Sequence, residues 1–470
     1  MLFPSVIFLF CFLPFMLLLY FGVCQHMPQQ YRMLSKNTIL FIGSLVFYGY
    51  GEGWLTLLLL FSIFFNWLIG LAIHRYHNNQ NLKKLFLTLC VLVNIGVFFV
   101  FKYFDFTAGI INSVLKTNIP FLHLALPIGI SFFTFQALSY VIDVYRGKAE
   151  VQKNPFYVGL YIALFPQLIA GPIVRYETIE KQIKYRTETK ARFSQGIARF
   201  ITGLGKKVLI ADTMAIFVDR IAYRIDMNQP VSVLMGWVAA FSYLFQIFFD
   251  FSSYSDMAIG LGKMFGFEFL ENFNYPLTAV SVTDFWRRWH ISLTSWFRDY
   301  IYIPLGGNRK GKPRMLLNMF IVWLLTGLWH GAAWTFIFWG MFNFGLQLIE
   351  RIIGLGKKWQ LPVLLGHIYA VLAGTLGFGV LFRASCMSSA IRHFKILIGI
   401  GSAGLVDSVS AFYIKNNWMF FVAAIIFSTA IGKKLAKNAV IYQILLGALF
   451  LMSIIYILKQ VYSPFIYFNF

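Results

Sequence analysis

From Leu85 to Phe101 the chain runs seventeen residues without a charge, and runs of this kind constrain the fold more than any other feature of the sequence. A bilayer core about 30 Å thick is crossed by about 20 apolar residues in helical form. Backbone polar groups cannot be left bare in hydrocarbon, so spanning runs must be helices unless they close into a barrel. Laid along the chain, that template marks Phe3 to Cys24, Thr38 to Tyr50, Trp54 to Ile73, Leu85 to Phe101, Ile119 to Tyr145, Phe156 to Val174 and Val231 to Phe249. It then marks Met315 to Gly327, Leu328 to Ile349, Leu361 to Phe382, Trp418 to Ile431 and Ala439 to Leu458. Thr38 to Tyr50 is short, Pro127 interrupts the Ile119 run, and Gly327 and Gly331 flank His330, which predicts broken or re-entrant helices. The fold class is therefore all-α: a polytopic integral membrane protein of about 11 transmembrane helices, with re-entrant and amphipathic cytoplasmic helices besides, in a single membrane domain over 1–470. With 59% hydrophobic and 12% charged residues, a soluble enzyme is excluded.

The net charge of +22 could point to nucleic acid or to an acidic membrane face, and the hydropathy decides for the membrane. Eleven cations between Arg175 and Arg224, and four in the nine residues Gly306 to Arg314, place both stretches in the cytoplasm by the positive-inside rule. Phe193, Ile197, Phe200, Ile201 and Leu204 recur at helical spacing opposite Arg192 and Arg199, as in a helix lying on a membrane surface. Met1 to Ser5 carries no basic residue and no small-residue cleavage site follows, so Phe3 to Cys24 reads as a first transmembrane helix and not a secretory signal. The four cysteines form no C-x-x-C pair. His74 and His77 share a helix face but lack a third ligand, and no metal site is expected.

Ser281-Val-Thr-Asp284 has capping-box spacing, which predicts a helix from near Ser281 with Phe285, Trp289, Leu293, Trp296 and Tyr300 on one apolar face. Such a helix would serve equally as a Trp-rich interfacial anchor. His290, set among Trp286, Trp289 and Trp296, needs a hydrogen-bond partner wherever it is buried. His330 is the sharper signal, because fifteen residues past Met315 places it about 22 Å along a helix, among Trp323, Leu328, Trp329 and Trp334. An ionisable group at that depth marks function by default; the alternative is a structural histidine bonded to a helix backbone. The sequence has no G-x-S-x-G, H-E-x-x-H or Walker A pattern. Gly399-Ile-Gly-Ser-Ala-Gly404 lacks a strand-to-helix setting and reads as a packing motif, and three Gly-Leu-Gly-Lys segments, at Gly203, Gly260 and Gly354, read as helix ends.

Five segments follow one another in order: Gln246-Ile-Phe-Phe-Asp-Phe-Ser-Ser-Tyr-Ser-Asp-Met-Ala-Ile-Gly260, Glu271-Asn-Phe-Asn-Tyr-Pro276, Asp284-Phe-Trp-Arg-Arg-Trp-His290, Tyr300-Ile-Tyr-Ile-Pro-Leu-Gly-Gly-Asn-Arg309 and Gly327-Leu-Trp-His-Gly-Ala-Ala-Trp334. Together with Phe165-Pro-Gln-Leu-Ile-Ala-Gly-Pro172, this series resembles the membrane-bound O-acyltransferase family. The similarity is to the bacterial branch that includes alginate and peptidoglycan O-acetylation proteins and, more distantly, the D-alanyl transfer protein of teichoic acid modification. It is dense over about residues 246 to 340, with Ser253 where many relatives have glycine. The resemblance implies His330 as the main catalytic residue and His290 as a second polar position, catalytic or positioning. It also implies acetyl-CoA as donor substrate with no tightly bound cofactor, a multi-pass protein of the bacterial inner membrane, and an extracytoplasmic transferase as partner. Arg287, Arg288, Arg309, Lys310 and Arg314 could attract CoA phosphates, or the last three could act only as topological anchors. Two alternatives stay open: D-alanyl transfer, and a transporter or proton channel using His330 with Glu52, Asp105 and Asp143.

Overall fold

The computed structural model describes residues 1–356, 359–431, 439–459 and 465–466, and among these it is helical with no β-strand. Among the described residues, eight segments are long and apolar enough to cross a membrane: Phe8–His26, Gln29–Arg75, Gln80–Lys102, Val233–Met264, Trp334–Ile353, Val363–Phe382, Ser408–Phe427 and Val440–Lys459. The chain divides into two compact units, one of residues 1–200 with 254–270 and the other of 201–253 with 271–470.

In the first unit, the short run at Thr38 is the middle of a full helix, Gln29–Glu52. Its first turns are too polar for a hydropathy window, yet Asn37 among them is buried and accepts a 2.6 Å hydrogen bond from Arg186 Nη1. Arg186 also donates through Nε to the Tyr20 hydroxyl and the Phe265 carbonyl, so this cation is a structural crosslink and not a solvent-facing topology signal. The Ile119 run is helical only from Ile130. Before it, side chains hold the irregular backbone: Asn112 accepts from Ile119 N–H, Asp105 from Leu122 and His123, and Glu52 from Ile128. The Phe156 run breaks after Pro155–Ala163 into the four-residue helix Phe165–Leu168, with its backbone buried in protein as bilayer physics requires.

The basic stretch from Arg175 to Arg224 is helical over most of its length. It forms a short helix, Tyr176–Lys184, and then a helical run from Lys190 to Asp226. Helix Val233–Met264 is 32 residues, about 48 Å long. Arg224 lies against Met235 in its first turns, whereas Arg192 pairs at 2.7 Å with Glu268, beyond its last residue. Lys207, within this stretch, is buried. In a background with the native cysteines replaced by serine, Thr187→Cys and Asn308→Cys should react with an impermeant maleimide only after cell lysis. Labelling of either position from outside would overturn its cytoplasmic placement.

The glycine motifs also read differently in three dimensions. Gly399, Gly401 and Gly404 have positive φ and no close neighbours, so they shape an exposed turn and do not pack helices. Of the Gly-Leu-Gly-Lys segments, Gly203 lies within a helix, Gly260 in a last turn and Gly354 at a C-terminus, while Lys357 falls outside the described residues.

Candidate active site

His330 closes helix Gly311–His330, and the chain returns as helix Trp334–Ile353 after an extended break at Gly331–Ala333. The break falls at Gly331 and not between Gly327 and Leu328. Gly327 instead lets the two arms touch: a Cβ there would lie 2.5 Å from the Phe336 carbonyl oxygen, and one on Gly340 would lie 2.4 Å from that of Trp323. The His330 ring, 5% exposed, is enclosed edge-on by Trp329 at 4.8 Å, Trp339 at 4.9 Å and Phe382 at 5.0 Å. A dry aromatic cage of this kind strengthens any polar interaction the imidazole makes.

The helix expected from Ser281 does start there. The Ser281 hydroxyl accepts from Asp284 N–H at 3.0 Å, and the Asp284 carboxylate reaches back to Val280 N–H. It is not one helix, however. Val282–Arg288 stops, His290 adopts a left-handed conformation (φ 44°, ψ 54°), and Ile291–Phe297 follows. A side chain in that region costs about 1–2 kcal/mol, so the surroundings must impose it. They do: Ile291 N–H donates to the Asn272 carbonyl, Asn274 N–H donates to the Arg288 carbonyl, and the Asn272 side chain accepts from both the Ser292 N–H and its hydroxyl.

That arrangement fixes the His290 tautomer. A backbone N–H can only donate, so the Asn272 atom facing Ser292 is its oxygen, and His290 Nδ1, 3.2 Å from the same oxygen, carries the hydrogen. Nε2 is left with the lone pair, the basic nitrogen of the ring. Burial holds His290 well below its ordinary pKa of 6.5, so the ring is neutral. Asn272→Asp would set a carboxylate against Nδ1–H and favour the imidazolium. A histidine-resolved NMR titration should show the pKa of His290 rising in that variant.

The two histidines meet the same indole: the Trp329 ring is 6.1 Å from His290 and 4.8 Å from His330. Around them lies one aromatic core that includes Phe248, Phe285, Trp286, Trp289, Trp323, Trp339, Phe378 and Phe382. The cations are distributed differently. Arg309 and Lys310 are exposed in the turn before helix Gly311–His330, and Arg314 Nε donates to the Leu305 carbonyl at 3.1 Å. Asn318 anchors that turn through the Gly307 carbonyl at 3.1 Å. Arg288 is engaged by Asp284 at 3.0 Å, and Arg287 is exposed. Of the other histidines, His393 and His367 bond backbone carbonyls of Gly236 and Ala279, and His74 and His77 are exposed.

Two residues of the site escaped sequence reasoning. Asn272 was visible only as part of a motif, without a role. Glu350, buried on helix Trp334–Ile353, accepts from Val282 N–H at 2.6 Å, Thr283 N–H at 3.0 Å and the Thr283 hydroxyl at 2.5 Å. It thereby fastens the helix before His290 to the hairpin that carries His330. A lone acid in an apolar run was the available signal.

The chain belongs to the membrane-bound O-acyltransferase family, whose model matches residues 41–356. It is 40% identical over 408 residues to the probable alginate O-acetylase AlgI of Pseudomonas aeruginosa, covering 86% of this chain and 76% of that protein. The corresponding protein of Pseudomonas putida is 36% identical over the full length of both. The peptidoglycan O-acetyltransferase of Helicobacter pylori is 35% identical, over 86% of this chain and 81% of that protein.

Proposed function

We propose that this protein takes acetyl groups from acetyl-CoA on the cytoplasmic side of the bacterial inner membrane and passes them across for O-acetylation of an envelope polysaccharide of alginate or peptidoglycan type. An extracytoplasmic transferase completes the transfer in this reading. The names of the similar proteins support the substrate class. The observation that carries the mechanism is the convergence of His330 and His290 on Trp329 inside one dry aromatic core.

Acyl transfer from a thioester needs a group that can take a proton from the attacking hydroxyl, or itself attack the carbonyl carbon, without competing water. His330 fills that role. Its position at the last residue of a helix places the negative end of the helix dipole beneath it, which favours the positive charge the ring takes on as the hydroxyl oxygen attacks. The carbon–sulfur bond then breaks, and the departing thiolate takes the proton from the His330 imidazolium, which returns the ring to its neutral form. His290, with its lone pair on Nε2, is the second base or the group that positions the acyl carbonyl. Arg309, Lys310 and Arg314 offer an exposed cationic turn to CoA phosphates, whose charge would keep the nucleotide out of hydrocarbon.

The channel reading has less support, since Glu52 and Asp105 are occupied with backbone N–H groups. Purified chain given radiolabelled acetyl-CoA and no partner should release free CoA or acquire a labelled acyl group, and His290→Ala should reduce turnover more than donor binding. A histidine-dependent proton flux in reconstituted vesicles, with neither donor binding nor turnover, would overturn acyl transfer.

A further inference from the structure

Lys207, Asp212 and Asp250 form an ion cluster inside the second unit. The ammonium lies 2.7 Å from Asp212 Oδ1 and 2.6 Å from Asp250 Oδ1, and the three side chains are 2%, 8% and 2% exposed. The other Asp250 oxygen accepts from Ile466 N–H at 2.7 Å, and the ammonium sits 4.5 Å above the Phe465 ring. Lys207 belongs to a π-helical turn, Lys206–Ala211, a widened turn that recurs at functional sites.

Stability does not account for such a cluster. Removing ions from water costs several kcal/mol each, and well-packed neutral replacements are often as stable, whereas a buried ion pair serves best to fix registry. The registry here concerns His290. Asp250 lies within helix Val233–Met264, the next residue, Phe251, packs at right angles to the His290 ring with centroids 4.5 Å apart, and Phe248 packs on Trp289 and Phe273. Successive helical residues point about 100° apart, so a helix held at Asp250 on one side presents Phe251 in a fixed direction on another. A rotation of about 20° would carry a side chain at about 5 Å radius through about 2 Å. Misplacing a reacting group by about 1 Å can cost about a hundredfold in rate.

We infer that the Lys207–Asp212–Asp250 cluster is a positioning device for acyl transfer, locking the rotation of helix Val233–Met264 so that Phe248 and Phe251 hold His290 in its working orientation. This rests on the reading of His290 as a member of the site. The three residues touch no reacting atom; they act through the phenylalanines.

The test compares purified full-length variants for thermal stability, acetyl-CoA binding and turnover. Lys207→Met combined with Asp212→Asn and Asp250→Asn removes every charge while keeping shape and an acceptor for Ile466. It should melt near the wild type with unchanged KM for acetyl-CoA and a kcat at least tenfold lower. If that variant fails to fold, Lys207→Arg, which keeps the charge but moves it, should fold and show the same kcat loss at unchanged KM. Wild-type kcat in the folded neutral variant, or in Lys207→Arg if that stands in for it, overturns the proposal. His290→Asn, which suits the left-handed backbone, separates the two layers of the argument. Wild-type turnover in His290→Asn defeats the role of His290 and the cluster's with it. A loss in His290→Asn beside wild-type turnover in the cluster variant defeats the positioning role alone.

Discussion

His330→Ala should abolish O-acetylation while the protein remains inserted at normal levels. The expected loss is large because a positioned base contributes about 10² to 10⁴ in rate, and the proposed base is enclosed by Trp329, Trp339 and Phe382. Folding should suffer less. The interhelical contacts at Gly327 and Gly340 that close the hairpin are backbone contacts and do not involve the imidazole. Alkaline release of acetate from the purified envelope polymer is the measurement, with membrane abundance of the variant as control. Acetate release at the wild-type level from an His330→Ala strain would falsify the assignment. His330→Asn, which refills most of the space with a polar but weakly basic group, should be equally inactive, separating loss of basicity from loss of packing.

What the sequence made legible was chemistry carried by local pattern. Apolar runs gave the helical membrane class, the Ser281 spacing gave a helix start, and depth among tryptophans singled out His330. Each of these depends on residues within about a turn or on the length of one element. Features set by contacts between distant elements were hidden. The break at His290 follows from Asn272, eighteen residues away, which takes hold of Ser292 and imposes a left-handed residue that periodicity alone reads as mid-helix. The same limit explains Arg186 and Lys207. Both look like topology-setting cations in a basic stretch, and both are buried because Asn37 and Tyr20 receive one while Asp212 and Asp250 receive the other. Charge density read along the chain cannot distinguish a cation facing solvent from one committed to a distant carboxylate.

Glu350→Ala should inactivate the protein with both histidines in place. The Glu350 carboxylate is the only described acceptor for Val282 N–H and Thr283 N–H, the first amides of the helix that leads into His290. Helix-opening amides need acceptors, and a negative group there also meets the positive end of the helix dipole. Truncation to alanine removes three hydrogen bonds to a charged acceptor and strands one buried and one part-buried backbone donor, a loss of about 3 kcal/mol or more concentrated at one end of the site. Glu350→Gln is the sharper probe, because its single carbonyl oxygen can satisfy the Val282 side or the Thr283 side but not both. Whichever it chooses, the amide NH₂ faces a backbone donor. That variant should lose about 1–3 kcal/mol and a large part of its turnover. Thermal unfolding in detergent together with acetate release from the polymer checks both. Wild-type turnover in Glu350→Gln would mean that helix Val282–Arg288 keeps its place without the hairpin, and that the link from Glu350 to the His290 segment is incidental to catalysis.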